Sequence, residues 1–133
     1  MAITITSTKS FSGTNGNYSL TETFSGSALS SASETVGSSS SVDVEVFANN
    51  ASSELKFLAV KSDKAGSFEV ENSSGTVMGT AQTLTANVSK VLFGTALSGA
   101  DFHNDGDIHF IKVTNSDTTE ATVSIDMLYD ATP

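Results

Sequence analysis

Both histidines of this chain fall in one short stretch, Asp101-Phe102-His103-Asn104-Asp105-Gly106-Asp107-Ile108-His109, together with three aspartates. Imidazole and carboxylate packed this closely are the groups that bind a cation or pass a proton. A calcium loop of the helix-loop-helix type needs oxygen donors at positions one, three and five, glycine at six and a bidentate glutamate at twelve. Asp101, Asp105 and Gly106 meet that pattern, but position three is His103 and position twelve is Lys112. A zinc site would have His103, His109 and a carboxylate, with no cysteine in the chain and no HExxH spacing. Asn-Asp-Gly is also a strong turn sequence. The stretch is therefore expected to be a turn leading into a strand, with no metal and no cofactor.

Other catalytic arrangements are equally incomplete. A nucleophilic serine needs a base within reach and an oxyanion hole, and no G-x-S-x-G occurs among the many serines. Gly75-Thr76-Val77-Met78-Gly79 lacks the Lys-Ser/Thr ending of a phosphate loop. Glu69 and Glu71, two residues apart, share one strand face and read as solvated surface. Asn17, Asn50, Asn72 and Asn87 open formal glycosylation triplets, as a serine-rich chain produces by chance. No enzyme is expected.

Positioning such residues falls to strands. Serine and threonine make up about 30% of the chain, and hydroxyl side chains compete with helical backbone bonding. In the C-terminal run Ala121, Val123, Ile125, Met127 and Tyr129 alternate with Thr122, Ser124, Asp126, Leu128 and Asp130. A period of two puts one face on a core and the other in water. Ile108, Phe110, Ile111 and Val113 form the strand before it, with a polar connection of hairpin length over 114–119. The alternation slips between Phe110 and Ile111, which predicts a bulge or a strand covered on both faces.

Further upstream, Ile3 and Ile5 sit among threonines, and Tyr18, Leu20 and Phe24 alternate with hydroxyls, with Glu22 on the apolar side marking an edge strand. Residues 26–41 read as a loop crossing the sheet. Val42, Val44 and Val46 give a third strand with an off-pattern Phe47, and 55–60 (LKFLAV) a central one. The segment 61–66 is expected to close a hairpin onto Phe68 and Val70, residues 72–80 to be a loop, and Leu84, Ala86 and Val88 to form a strand. Val91 to Phe93 continues into a further run, and 96–106 is a long loop. The fold class is all-β: a single antiparallel β-sandwich or jelly-roll-like domain of seven or eight strands over 1–133, with 1–15 an extended N-terminal strand or arm.

A net charge of −9, with six scattered basic residues, excludes a phosphate-neutralising surface, so neither nucleic acid nor an anionic membrane is an expected partner. With Cys 0 the chain fits a reducing compartment. No basic-then-apolar leader and no apolar run near 18 residues is visible, so neither a signal peptide nor a membrane span is expected.

The second half resembles the head decoration, or cement, proteins of tailed bacteriophages. The likeness rests on 55–63 (LKFLAVKSD), 83–86 (TLTA), 111–115 (IKVTN) and 121–130 (ATVSIDMLYD), covering roughly residues 54–130. It implies a β-sandwich made in the host cytoplasm that sits on the capsid surface of the virion. There it binds the major capsid protein and itself, as an oligomer at local symmetry axes; a homo-oligomer is expected here, with a trimer favoured. The alternative is another virion or surface β-module, such as a tail component or a carbohydrate-binding fibre piece. Sugars stack on exposed aromatics, and Trp 0 with Tyr 2 speaks against it. Phe47, Leu58 and Leu128 each fall on or beside the face their strand otherwise gives to water. If their strands are neighbours, these three form one apolar patch, an interface for a second copy or for the shell.

Overall fold

The computed structural model describes residues 3–13, 16–26, 28–48, 55–93, 97, 99–102 and 108–129. Among these residues ten strands run in order: β1 Ile3–Gly13, β2 Gly16–Gly26, β3 Ala28–Val36, β4 Ser41–Ala48, β5 Leu55–Ser62, β6 Gly66–Glu71, β7 Val77–Leu84, β8 Lys90–Phe93, β9 Ile108–Asn115 and β10 Ala121–Tyr129. Eight of them form two four-stranded antiparallel sheets, β3-β10-β5-β8 and β4-β9-β6-β7, and β1 pairs β2 in a separate hairpin. Strands three to ten follow the order of a jelly roll, each connection crossing between the layers except the β6–β7 hairpin.

The C-terminal alternation builds one wall of the core. Ala121, Val123, Ile125 and Met127 are buried while Thr122, Ser124 and Asp126 are exposed. Met127 lies opposite Leu58 and Ile125 opposite Val60 on β5, so these apolar rows face the same way. The facing sheet supplies Val44, Phe68, Val70, Ile111 and Val113, all buried in the same cluster. At roughly 25 cal/mol per Å² of apolar surface removed from water, this cluster drives folding.

Four expectations about connectivity need correction. The connection after Asn115 is not a hairpin turn, because β9 and β10 belong to different sheets. The connection after Ser62 likewise carries the chain between layers, so β5 and β6 do not pair. In both cases two amphipathic strands bury their apolar rows by facing each other across the core, which gains more than lying side by side. The segment expected as a loop contains β3, paired along its whole length with β10 from Ala28↔Tyr129 to Val36↔Ala121. Serine is a weak strand former, and it is the ladder offered by β10 that sets this conformation.

The fourth correction concerns β7, which starts at Val77 instead of Leu84. Asn72 accepts hydrogen bonds through Oδ1 from the N–H groups of Ser74 and Thr76 (2.9 and 3.0 Å), a tight polar turn that closes the β6–β7 hairpin early. The downstream run is broken where Asn87 adopts φ 63°, leaving Val88 55% exposed. Within β7, Gly79 has φ +72° and a Cβ there would lie 2.0 Å from the carbonyl oxygen of Ala100, so only glycine fits. That close approach holds Ala100 and Asp101 on the sheet, with Thr80 N–H donating to Ala100 O at 2.9 Å. Phe102 is thereby buried against Phe68, ring centroids 6.4 Å apart. The irregularity expected in β9 falls on its partner: pairing shifts register between Glu45 and Ala48 of β4.

Candidate functional site

Of the three residues expected to form an apolar patch, Leu58 is 1% exposed on the core side of β5 and Leu128 is fully buried on the opposite face of β10. The reversal follows from register: Leu58 pairs with Met127, while Leu128 pairs with Phe57 and, on β3, with Leu29. Phe47 falls in β4, and its side chain lies outside the described residues. The patch is therefore corrected. Leu58 and Leu128 lie back to back across one sheet, and neither is open to solvent in a single chain.

Leu128 and Phe57 are buried yet stand apart from the sandwich core cluster. Their face of the β3-β10-β5-β8 sheet is approached by the N-terminal hairpin, since β2 lies against both β5 and β10. The hairpin register places Ile5 opposite Phe24, Lys9 opposite Leu20 and Phe11 opposite Tyr18, with Thr4, Thr6 and Thr8 on the alternate positions. Thr6 is exposed. Leu128 and Phe57 are thus a buried apolar pair on the face of the sheet against which β2 lies.

The outer face of the other sheet is charged. Register aligns Asp43, Lys112 and Glu69 in one row across β4, β9 and β6, and Glu45, Phe110, Glu71 and Val77 in the next. Asp43 and Glu45 are exposed, but Glu71 is only 4% exposed, against the expectation of solvated surface. Burial raises its pKa above the ordinary 4.5, the carboxylates of Asp43 and then Glu69 push the same way, and Lys112 opposes them. A carboxyl that holds its proton more tightly when folded contributes stability below 4.5, and that contribution is lost as pH rises through the raised value. Glu71→Gln should accordingly raise the melting temperature at pH 7, with the gain fading in acid. Thermal melts of both proteins across that pH range check it, and an unchanged or lowered melting point at pH 7 counts against it.

Of the stretch from Asp101 to His109, residues 103–107 lie outside the described residues. Asp101 is exposed at φ 57°, and His109 is half-buried in β9 with its ring 5.9 Å from that of Phe110. Among the described residues no three of His, Asp and Glu come together as a metal would require. A groove of ≈ 320 Å³ beside β7 and β8 is lined by Thr83, Thr85, Val88, Ser89 and Lys90. Its hydroxyls have no imidazole or carboxylate among the lining residues to take a proton.

Asn115, not among the candidate site residues expected from the sequence, is a polar hub among the described residues. Asn115 is buried, and its Nδ2 donates to the carbonyls of Val36 (3.2 Å), Gly37 (3.1 Å) and Thr119 (2.8 Å). Its Oδ1 accepts from the N–H of Asp117 at 2.9 Å. The Asp117 carboxylate in turn accepts from Thr119 N–H and Oγ1, which lowers its pKa. Ser39 N–H donates to Asp117 O, and Ser116 N–H to Ala65 O, so one end of the sandwich is tied together. The signal was present in Asn115-Ser116-Asp117-Thr118-Thr119, a run of residues that bond their own backbone.

Fold and site together define an antiparallel β-sandwich module of jelly-roll order. No family model matches the chain, and no curated protein matches it. Among solved structures it is similar to the Family 11 Carbohydrate-Binding Module of cellulosomal cellulase Lic26A-Cel5E of Clostridium thermocellum. That likeness has 16% identity and a TM-score of 0.36, covering 97% of this chain and 85% of that one.

Proposed function

We propose that this chain is a structural protein of a virus particle, a decoration or cement protein. It binds the outside of the major capsid protein shell as a homo-oligomer and braces it. The observation that carries the reading is where the decoration-protein resemblance falls. Its stretches lie on β5, β9 and β10, inner strands of the two sheets, and on the end of β7. The likeness is thus one of scaffold rather than of a reactive site. Jelly rolls recur in viral capsid and lectin domains, a fold-level analogy that agrees with it. The bonded polar groups also fit a bracing role: Asn72, Asn115 and Asp117 accept from backbone N–H groups in turns, and Asp63 accepts from the N–H of Thr122 in β10.

The test is to separate virus heads from tails and follow this protein by sedimentation. It should travel with intact heads, and adding it to shells that lack it should raise the temperature at which they open. Recovery with tails alone favours the tail or fibre reading, and recovery with neither removes the virion role.

A further inference from the structure

An exposed sheet edge is an open row of N–H and C=O groups, and proteins usually blunt such edges with short strands, bulges or charges. Four strands are outermost in the two sheets: β3, β8, β4 and β7. Three of them are blunted. β8 has only four residues, Lys90–Phe93. β4 carries Asp43 and Glu45 and shifts register between Glu45 and Ala48. The ladder of β7 with β6 is interrupted between Phe68 and Val70, and β7 is bent by Gly79 at φ +72°. β3 differs: nine residues, Ala28–Val36, pair with β10 without a register shift, with no proline, no basic residue and the single charge Glu34.

We propose that the free edge of β3 takes up the β3 strand of a second copy, antiparallel across a two-fold axis. The two four-stranded sheets thereby join into one of eight. The occupant follows from the strand itself. Only with Ala32 opposite its own mate do all nine residues of both strands pair. Ser31 then meets Ser33, and Glu34 meets Ser30, so no charge faces a like charge. The two Glu34 carboxylates sit about 14 Å apart along the strands, beyond the screening length of about 10 Å at 0.1 M salt. Ser31, Ser33, Glu34 and Thr35 are exposed, leaving that approach open. Pairing of this kind is isologous and closes as a dimer, so a trimer would need a different surface. The proposal does not rest on the capsid reading, because mass in solution reports on β3 whatever the protein decorates.

Two double variants share a lysine at position 31, opposite the exposed Asp126 to which Ser31 Oγ now donates at 2.6 Å. They differ only in the sign of charge placed at 33. Across the two-fold axis, Ser31→Lys with Ser33→Lys opposes like charges twice, whereas Ser31→Lys with Ser33→Glu opposes complementary ones. The wild type should sediment as a dimer at micromolar concentration. The Lys/Glu variant should stay dimeric, and the Lys/Lys variant should dissociate at about tenfold lower affinity or worse. Circular dichroism verifies the fold of each. In the wild type, β3 amides should lose hydrogen-exchange protection on dilution, a readout that needs no variant. A monomeric wild type, an oligomer indifferent to the sign at 33, or β3 protection independent of concentration each overturns the proposal.

Discussion

Asn115→Ala is expected to lower the stability of the fold by about 3 kcal/mol, which for a domain of this size is a fall of about 10 °C in melting temperature. The size of the effect comes from what is left behind. The amide nitrogen of Asn115 serves three carbonyls, on Val36, Gly37 and Thr119, and its oxygen serves Asp117 N–H. Buried carbonyls that lose their donor cost about 1–3 kcal/mol where water does not replace it. Asn115→Asp separates donor from acceptor: it keeps an oxygen for Asp117 but turns a carboxylate toward carbonyl oxygens. It should be at least as damaging at neutral pH and partly relieved in acid, where the carboxyl can donate. Chemical denaturation of the three proteins at two pH values checks this. A loss under 1 kcal/mol for the alanine variant would show that the turns hold without the amide.

That residue also marks the boundary of what could be read from the chain. β10 and β5 were legible because burial on one face writes a period of two, and burial on both faces a continuous apolar run. The sheet each strand joins is not written in its own residues. The polar links 63–65 and 116–120 have hairpin length, yet they cross between layers. β3 was invisible because Ala28-Leu29-Ser30-Ser31-Ala32-Ser33 lacks both strong strand formers and a clear period. Its conformation is imposed by β10. The shift of β7 was hidden for a related reason: Leu84, Ala86 and Val88 alternate as a strand should, and only the positive φ of Asn87 ends the run. At the candidate site, off-pattern apolar residues were the right signal attached to the wrong partner. Leu128 breaks its alternation and is fully buried on the face of the sheet against which β2 lies.

Leu128→Ala should cost about 3 kcal/mol, as expected when a fully buried leucine is cut back inside a close-packed site. The same change at an exposed strand position would cost a few tenths. Leu128 has no exposed surface, and it pairs with Leu29 on one side and Phe57 on the other. The strain should fall first on the layer outside the sandwich, because Leu128 is not among the residues of the sandwich core. Hydrogen exchange should therefore quicken in β1 and β2 more than in β6 or β9. Met127→Ala is the matched control: it points into the sandwich core from the neighbouring position, and its loss should loosen both sheets together. Removing residues 1–26 should bare Leu128 and Phe57, and the shortened protein should bind a hydrophobic dye and associate. If Leu128→Ala keeps full stability but abolishes the proposed attachment to capsids, Leu128 acts as a docking residue. If stability and hairpin protection fall together while the folded fraction still binds, it belongs to the inner layer that the hairpin seals.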